Sequence, residues 1–116
     1  MIEVQLRMRT VSTLNAREHW SARAKRAKFE RQLAYFTLLG TRAKVPAGCV
    51  RVALTRIAAP RGRVLDTDNL CGALKAVRDG VADFLQRQDN DPDLEWIYNQ
   101  TNGLLWSVSI RIEGCA

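Results

Sequence analysis

The sequence predicts an α+β fold, in which a small mixed β-sheet combines with two main helices in the order β-α-β-α-β-β. Three observations predict it. Two short segments alternate apolar and polar residues, two longer segments repeat apolar residues every three or four positions, and a turn of the hairpin type separates two further β-prone segments. Since the 116 residues contain no internal repeat or linker, we expect a single domain over residues 1–116.

The strands are placed by their alternation and by one turn. Residues 2–8 and residues 50–54 alternate between apolar and polar side chains, as half-buried strands do. Near the end of the chain, the segments LEWIYNQ and LLWSVSIRI flank Asn102-Gly103. Because Asn-Gly is the strongest short hairpin signal, these two segments are predicted to pair as a hairpin.

The helices are placed by caps and by apolar spacing. Asn15 precedes Glu18 by three residues, the spacing of a capping box, so a helix is predicted from there to about Leu39. Its first half carries basic residues around most of its circumference, whereas Leu33 and Phe36 in its second half are expected in the core. In the second helix the apolar residues at helical spacing are Leu70, Leu74, Val77, Val81, Phe84 and Leu85.

Charge is distributed unevenly along the chain. Residues 1–63 carry 14 Lys and Arg but only 3 Asp and Glu, whereas residues 64–116 carry 4 and 9, which gives the net charge of +6. A basic first half suggests a polyanionic partner, with nucleic acid as the first candidate. The alternative is a surface that merely keeps the protein soluble.

The three cysteines, Cys49, Cys71 and Cys115, are widely spaced and odd in number, so they indicate neither a disulfide framework nor a zinc site. We expect them to be reduced and the protein to be cytoplasmic. No apolar run approaches the length that spans a membrane.

The segment LDTDNLCGALK concentrates acidic residues at the start of the second helix. At 100° per residue, one polar stripe opposite the apolar face contains Asp68, Gly72, Lys75 and Asp79. In a structural interpretation, Asp66 or Asp68 caps the helix and Lys75 pairs with Asp79 across one turn. In a functional interpretation, Asp66 and Asp68 bind a divalent cation such as Mg²⁺, which takes carboxylate oxygens and keeps positions open for a phosphate.

Taken together, the DxDN motif in LDTDNL, the basic segment NAREHWSARAKR before it and the acidic loop QDNDPD after it resemble the RusA-type Holliday junction resolvases. The resemblance spans most of the chain. It implies a RusA-like fold and a dimeric, Mg²⁺-dependent endonuclease of phage or prophage origin that resolves four-way DNA junctions in recombination and repair, with Mn²⁺ as a possible replacement.

The resemblance also implies roles for the acidic residues. Asp66 and Asp68 match the paired metal-binding aspartates of the family. Its third catalytic acid is the second Asp of an Asp-Asp, which here reads Gln88-Asp89, so Asp89 is the match and Asp91 the alternative.

Further matches concern the basic residues. Where the family usually has its catalytic lysine this chain has Gly72, so Lys75, one turn later, is the candidate for that role. The residues implied in DNA binding are Asn15, Arg17, Arg23, Lys25, Arg26, Arg63 and Asn69. Trp20 is expected to be buried, or else to stack on an unpaired base.

One geometric constraint bears on the third acid. A straight helix from Asn69 to Leu85 is about 25 Å long, and the link from Gln86 to Asp89 covers at most about 14 Å. Asp89 can therefore meet Asp66 only if the helix starts late or breaks near Gly80, or if a second subunit completes the site.

Two other functions remain open at this point. The chain could be a DNA-binding module without catalytic activity, or a degenerate family member, because the second Asp is missing and the lysine is displaced. It could also be a nuclease that acts on RNA, because a basic surface does not distinguish RNA from DNA.

Overall fold

The computed structural model describes residues 1–12 and 19–115. The strands are β1 (Ile2–Leu6), β2 (Val50–Ala58), β3 (Leu94–Asn102) and β4 (Ser107–Gly114). The helices are α1 (Trp20–Gly40), α2 (Thr67–Ala73) and α3 (Lys75–Leu85). The predicted α+β class and element order are confirmed, with the second helix divided in two. In this part of the chain, no helix combines the length and apolarity needed to cross a membrane.

The four strands form one mixed sheet in the order β1-β4-β2-β3. β4 is antiparallel to both of its neighbours, whereas β3 runs parallel to β2. As a result, β1, β2 and β3 all end at the same edge of the sheet, where β4 begins. We call this edge the carboxyl edge. The loops that leave β1 and β2 at this edge lead to α1 and α2, and the second of them carries Arg63 and Asp66.

The predicted hairpin between β3 and β4 is wrong, because β2 lies between these two strands. The α2–α3 connection returns the chain so that β3 adds beside β2 in parallel, and β4 then pairs on the other side of β2. At Gly103 the missing side chain permits the chain to approach the end of β2 closely, instead of forming a tight turn. The N–H of Gly103 donates to the carbonyl of Ala58 at 2.8 Å, and a Cβ atom at this position would lie 2.8 Å from Ile57 Cγ2.

The core lies between one face of the sheet and the helices. Along β2 every second residue is buried, which confirms the predicted alternation. The fully buried apolar members of β2 and β4 are Val50, Val52, Leu54, Ala58, Val108, Ile110 and Ile112. The apolar residues predicted for the second helix are all buried as well: Leu70, Leu74, Val77, Val81, Phe84 and Leu85.

Helix α1 contributes less to the core than the sequence predicts. Ala34 and Leu38 are buried and Leu33 packs against the core, but Phe36 is 61% exposed and Trp20 is 73% exposed. The expectations that Phe36 and Trp20 are buried are therefore wrong. The helix buries only the face that meets α3 and β1, and its other apolar residues lie outside that face.

The second helical segment breaks at Leu74, not near Gly80. Leu74 leaves the helical conformation (φ −102°, ψ 2°) while its side chain stays fully buried. Gly80 lies inside α3 where that helix meets α1, and a Cβ atom there would lie 2.3 Å from the carbonyl oxygen of Arg31. The glycine therefore permits the two helices to approach closely.

Cys49 and Cys115 form a disulfide, so the expectation that all three cysteines are reduced is wrong. Cys49 precedes Val50 and Cys115 follows Gly114, and these two neighbours are a ladder pair of β2 and β4. The N–H of Cys115 donates to the carbonyl of Cys49. The pairing of β2 with β4 thus brings together two residues that are 66 positions apart in sequence. Cys71 is a free thiol and half-buried.

The helix contact at Gly80 yields a stability prediction. Gly80→Ala should lower the free energy of unfolding by about 1–3 kcal/mol, because the new methyl group meets the backbone of α1 and forces the helices apart. Gly40→Ala is the matched control, since a Cβ atom at Gly40 meets nothing within 4 Å. Urea denaturation followed by circular dichroism measures both. Equal midpoints for the two variants would contradict the close contact.

The disulfide yields a second prediction. It closes a loop of 66 residues, so Cys49→Ser with Cys115→Ser should lower the free energy of unfolding by about 4 kcal/mol. Thermal unfolding with and without dithiothreitol measures the effect. The reductant should lower the melting temperature of the wild type but leave that of the double variant unchanged, and Cys71→Ser should respond to the reductant as the wild type does.

Candidate functional site

Asp66 caps helix α2. Its Oδ1 accepts from the backbone N–H of Asn69 at 2.8 Å, and the Asn69 side-chain amide donates to both carboxylate oxygens at 3.0 and 3.1 Å. Asn69 Oδ1 in turn accepts from the hydroxyl of Ser12. These hydrogen bonds lower the pKa of Asp66, the backbone bond most, so this exposed carboxylate stays ionised. Asp68 lies exposed in the first turn.

The loop before Asp66 is held by Gln100 of β3. The Gln100 amide donates to the carbonyl of Leu65 at 2.6 Å, and its oxygen accepts from the N–H of Leu65 at 2.9 Å. This pair of bonds fixes the backbone one residue before the cap. The sequence pattern does not predict this role for Gln100. The available signal was a polar residue on the core-facing side of a strand, but the predicted hairpin obscured which strand lies beside it.

Lys75 lies between two carboxylates. Its Nζ is 2.8 Å from Asp79 Oδ1 and 3.5 Å from Asp89 Oδ2. The hydrogen bond that Lys75 donates to Asp79 is the main reason that the pKa of Lys75 is raised. The lysine therefore remains a cation across the neutral range and can attract a phosphate, but it is unsuited to accept a proton. The i,i+4 pair that the structural interpretation expects is present.

Asp89 is bound to α3 and β3. Arg78 approaches its carboxylate at 3.3 Å and donates to its backbone carbonyl at 2.9 Å, and Trp96 Nε1 donates to that same carbonyl at 2.9 Å. The guanidinium of Arg78 also lies over the Trp96 ring and donates to Tyr98. The loop after α3 thus folds back along the helix, so Asp89 reaches Lys75 near the start of α3.

The three predicted acids do not form one group within this chain. Among residues 1–12 and 19–115, no three Asp, Glu, His or Cys side chains lie close enough together to hold a metal ion. This applies equally to Asp91, whose carboxylate accepts from the backbone N–H of Asp93. Asp66 and Asp68 therefore remain as a pair, and Asp89 belongs to the ionic network of Lys75.

A groove of about 570 Å³ runs between α1 and the α2–α3 segment. Arg23 and Arg26 line it from α1, and Gly72 and Lys75 line it from the other side. Asp68 precedes Gly72 by four residues in α2 and so lies on the same helical face. Glu30 and Asp79 line the groove as well, where they pair with Arg26 and Lys75. The groove therefore has both cationic and acidic residues along its walls, and Asp68 lies near one end.

The other predicted DNA-binding residues lie in several places. Lys25 is exposed on α1, Asn69 braces the Asp66 cap, and Arg63 lines a separate cavity at the carboxyl edge. Asn15 and Arg17 lie outside the described residues, as does the predicted capping box. Helix α1 begins instead after His19, whose ring nitrogen accepts from the N–H of Ser21.

No protein-family model matches the sequence, and no curated protein matches it either. The resemblance to the RusA-type resolvases thus depends on the residues quoted above.

The cap at Asp66 predicts a stability effect that depends on pH. Because the pKa of Asp66 is lowered in the folded state, its stabilisation is present above the ordinary Asp pKa of 3.8 and is lost as pH falls through the folded value. In metal-free buffer, Asp66→Ala should therefore lower the urea midpoint at pH 7, and this difference should shrink in acid. Asp68→Ala is the control, and it should lower the midpoint less because Asp68 is not the cap. A loss that stays constant down to pH 2 would contradict the prediction.

Proposed function

We propose that this protein is a Mg²⁺-dependent endonuclease that cleaves branched DNA such as a four-way junction. The observation that supports it most is the groove in which Arg23 and Arg26 of α1 meet Lys75 of α3, with Asp68 on the adjoining face of α2. Metal-assisted phosphodiester hydrolysis requires cations that attract the phosphodiester and, beside them, a carboxylate that binds the metal.

The donor chemistry of Asp66 and Asp68 fits Mg²⁺, which prefers hard oxygen ligands and uses only one or two carboxylates together with waters and phosphates. Asp66 is ionised and both residues are exposed. A bound Mg²⁺ or Mn²⁺ would supply an activated water and neutralise charge on the phosphate oxygens. Asp89 does not fit as a third ligand within one chain, because it pairs with Lys75 and Arg78.

The chain's own cations have a separate task. Lys75, which stays protonated, would attract a non-bridging phosphate oxygen, while Asp79 keeps its amine directed along the groove. The arginines of α1 would hold the neighbouring phosphates without regard to sequence.

The proposed branched-DNA substrate and the proposed homodimer come from the family resemblance, and two features of α1 support them. Trp20 is 73% exposed at the start of the helix, where an aromatic ring can stack on an unpaired base. Phe29, Phe36 and Leu39 are also exposed. Large apolar residues on one exposed helix favour contact with another copy of the chain.

A DNA-binding module without catalytic activity is the second candidate. It is favoured by the structural roles that the acids already fill, since Asp66 caps α2 and Asp89 fastens a loop. In that case the groove binds the phosphate backbone and no hydrolysis follows.

Cleavage of a labelled four-way junction tests the proposal. With Mg²⁺ the wild type should nick the junction, and Asp68→Asn should reduce the rate on the order of 100-fold or more while binding is retained. Asp93→Asn, which also removes one carboxylate but lies away from the groove, should cleave normally. Chelation by EDTA should abolish cleavage by both active proteins.

The outcomes separate the candidates. Binding without cleavage by any of these proteins would favour the non-catalytic module. Equal cleavage of a linear duplex would contradict selectivity for branches, and preferential cleavage of a duplex RNA would indicate an RNA-directed nuclease. Cleavage that survives Asp68→Asn would remove the metal role of the Asp66–Asp68 pair.

A further inference from the structure

A second cavity, of about 510 Å³, opens at the carboxyl edge of the sheet and is distinct from the groove between the helices. The loop after β1, the loop after β2 and the residue before β4 enclose it. Four arginines line it, Arg9, Arg56, Arg61 and Arg63, and none of the described residues that line it is acidic. Three of the arginines were not expected to take part in binding. We call this cavity the arginine pocket.

Arg56 is the unusual member of the arginine pocket, because it is only 4% exposed. Its guanidinium donates to Thr10 Oγ1 at 3.0 Å, to the carbonyl of Arg63 at 3.0 Å and to Gln100 Oε1 at 3.4 Å. All three acceptors are neutral. Burial lowers the pKa of this group, which reflects the cost of a charge removed from water without a counter-ion.

Within the described residues, no carboxylate forms an ion pair with any of the four arginines of the pocket. Trp106 holds two of them instead. The guanidinium carbon of Arg9 lies 4.8 Å and that of Arg56 lies 5.2 Å from the centre of its ring. A cation–π contact orients a guanidinium but leaves its positive charge uncompensated.

The wall of the arginine pocket is rigidly built. The N–H of Gly62 closes a turn onto the carbonyl of Ala59 at 2.7 Å, and the Asn102 side chain donates to the carbonyls of both residues at 3.2 Å. Trp106 packs directly on Gly62, where a Cβ atom would lie 3.0 Å from its ring and 2.5 Å from Ala58 Cβ. The turn that carries Arg61 and leads to Arg63 is thus held by contacts within the protein.

We infer that the arginine pocket binds a phosphate group of a nucleic-acid backbone, at a site separate from the groove. Arginine matches phosphate because its planar fork can donate two hydrogen bonds at once. Arg56 would supply the buried end of the site. Arg9, Arg61 and Arg63, which are exposed, would contact the nucleic-acid backbone at the rim of the pocket.

The position of the pocket links it to the proposed cleavage site. Ser12 lines the pocket and donates to Asn69, which donates to Asp66. Two hydrogen bonds therefore separate the pocket wall from the proposed metal ligand. The choice of nucleic acid as the source of the phosphate rests on the proposed function, but binding at the pocket does not require hydrolysis.

Binding measured in EDTA tests the inference apart from any cleavage. The affinity for a labelled four-way junction is measured at several salt concentrations for Arg61→Gln and Arg9→Gln. Lys44→Gln is the matched control, because Lys44 is exposed in the loop that precedes β2, at the opposite edge of the sheet. Each pocket variant should weaken binding about tenfold and reduce the slope of log K against log salt by about one. Circular dichroism shows whether each variant is folded.

A second measurement distinguishes a nucleic acid from a free phosphate ion. Pyrophosphate is titrated into the wild type, Arg61→Gln, Arg9→Gln and Lys44→Gln, with tryptophan fluorescence as the readout. The inference holds if the pocket variants lose junction affinity, even where no protein cleaves, in which case only the proposed enzyme fails. If the variants lose pyrophosphate binding but bind DNA as Lys44→Gln does, a nucleic-acid ligand is overturned. If they match Lys44→Gln in both assays, the pocket is not a phosphate site.

Discussion

The guanidinium of Arg56 is a charge buried on the core-facing side of a central strand, and the carboxyl edge of the sheet is arranged around it. The preceding core-facing residues of β2, Val50, Val52 and Leu54, are fully buried and apolar. Arg56 continues their row, so its donors must find acceptors locally. They find them in Thr10 after β1, in the carbonyl of Arg63 after β2 and in Gln100 of β3. One side chain thereby connects the segments that follow β1 and β2 with strand β3.

The same set of bonds determines where the acidic residues lie. Gln100, which accepts from Arg56, also pairs with both backbone groups of Leu65, and Asp66 follows immediately as the cap of α2. Asn69 then connects the cap to Ser12. A sheet edge of this kind combines an uncompensated cation and an ionised carboxylate in one network without allowing them to pair with each other. That combination is what a phosphate and a metal together require.

The sequence predicted the features that depend on local periodicity, but it did not predict those that depend on contacts between distant segments. The α+β order, the alternation of β2 and the apolar face of residues 70–85 follow from period alone, and all are observed. The hairpin at Asn102-Gly103 failed because parallel pairing with β2 outweighed the local turn signal. The Cys49–Cys115 disulfide and the hydrogen bonds of Gln100 to Leu65 depend on how distant segments align in the fold, which one sequence does not reveal. Gly80 marks a helix contact, not a break.

The distribution of charge around α2 affects how a bound nucleic-acid strand would be positioned. Ser12 lines the arginine pocket and is hydrogen-bonded to Asn69, which braces the Asp66 cap of α2. The groove of Arg23 and Lys75 lies between α1 and the α2–α3 segment. A nucleic-acid backbone that placed one phosphate in each would run past α2, at whose start Asp66 and Asp68 are exposed. Two carboxylates between two cationic sites would repel a bare phosphate. A bound divalent cation would reverse that local charge, so hydrolysis at this position would depend on that ion.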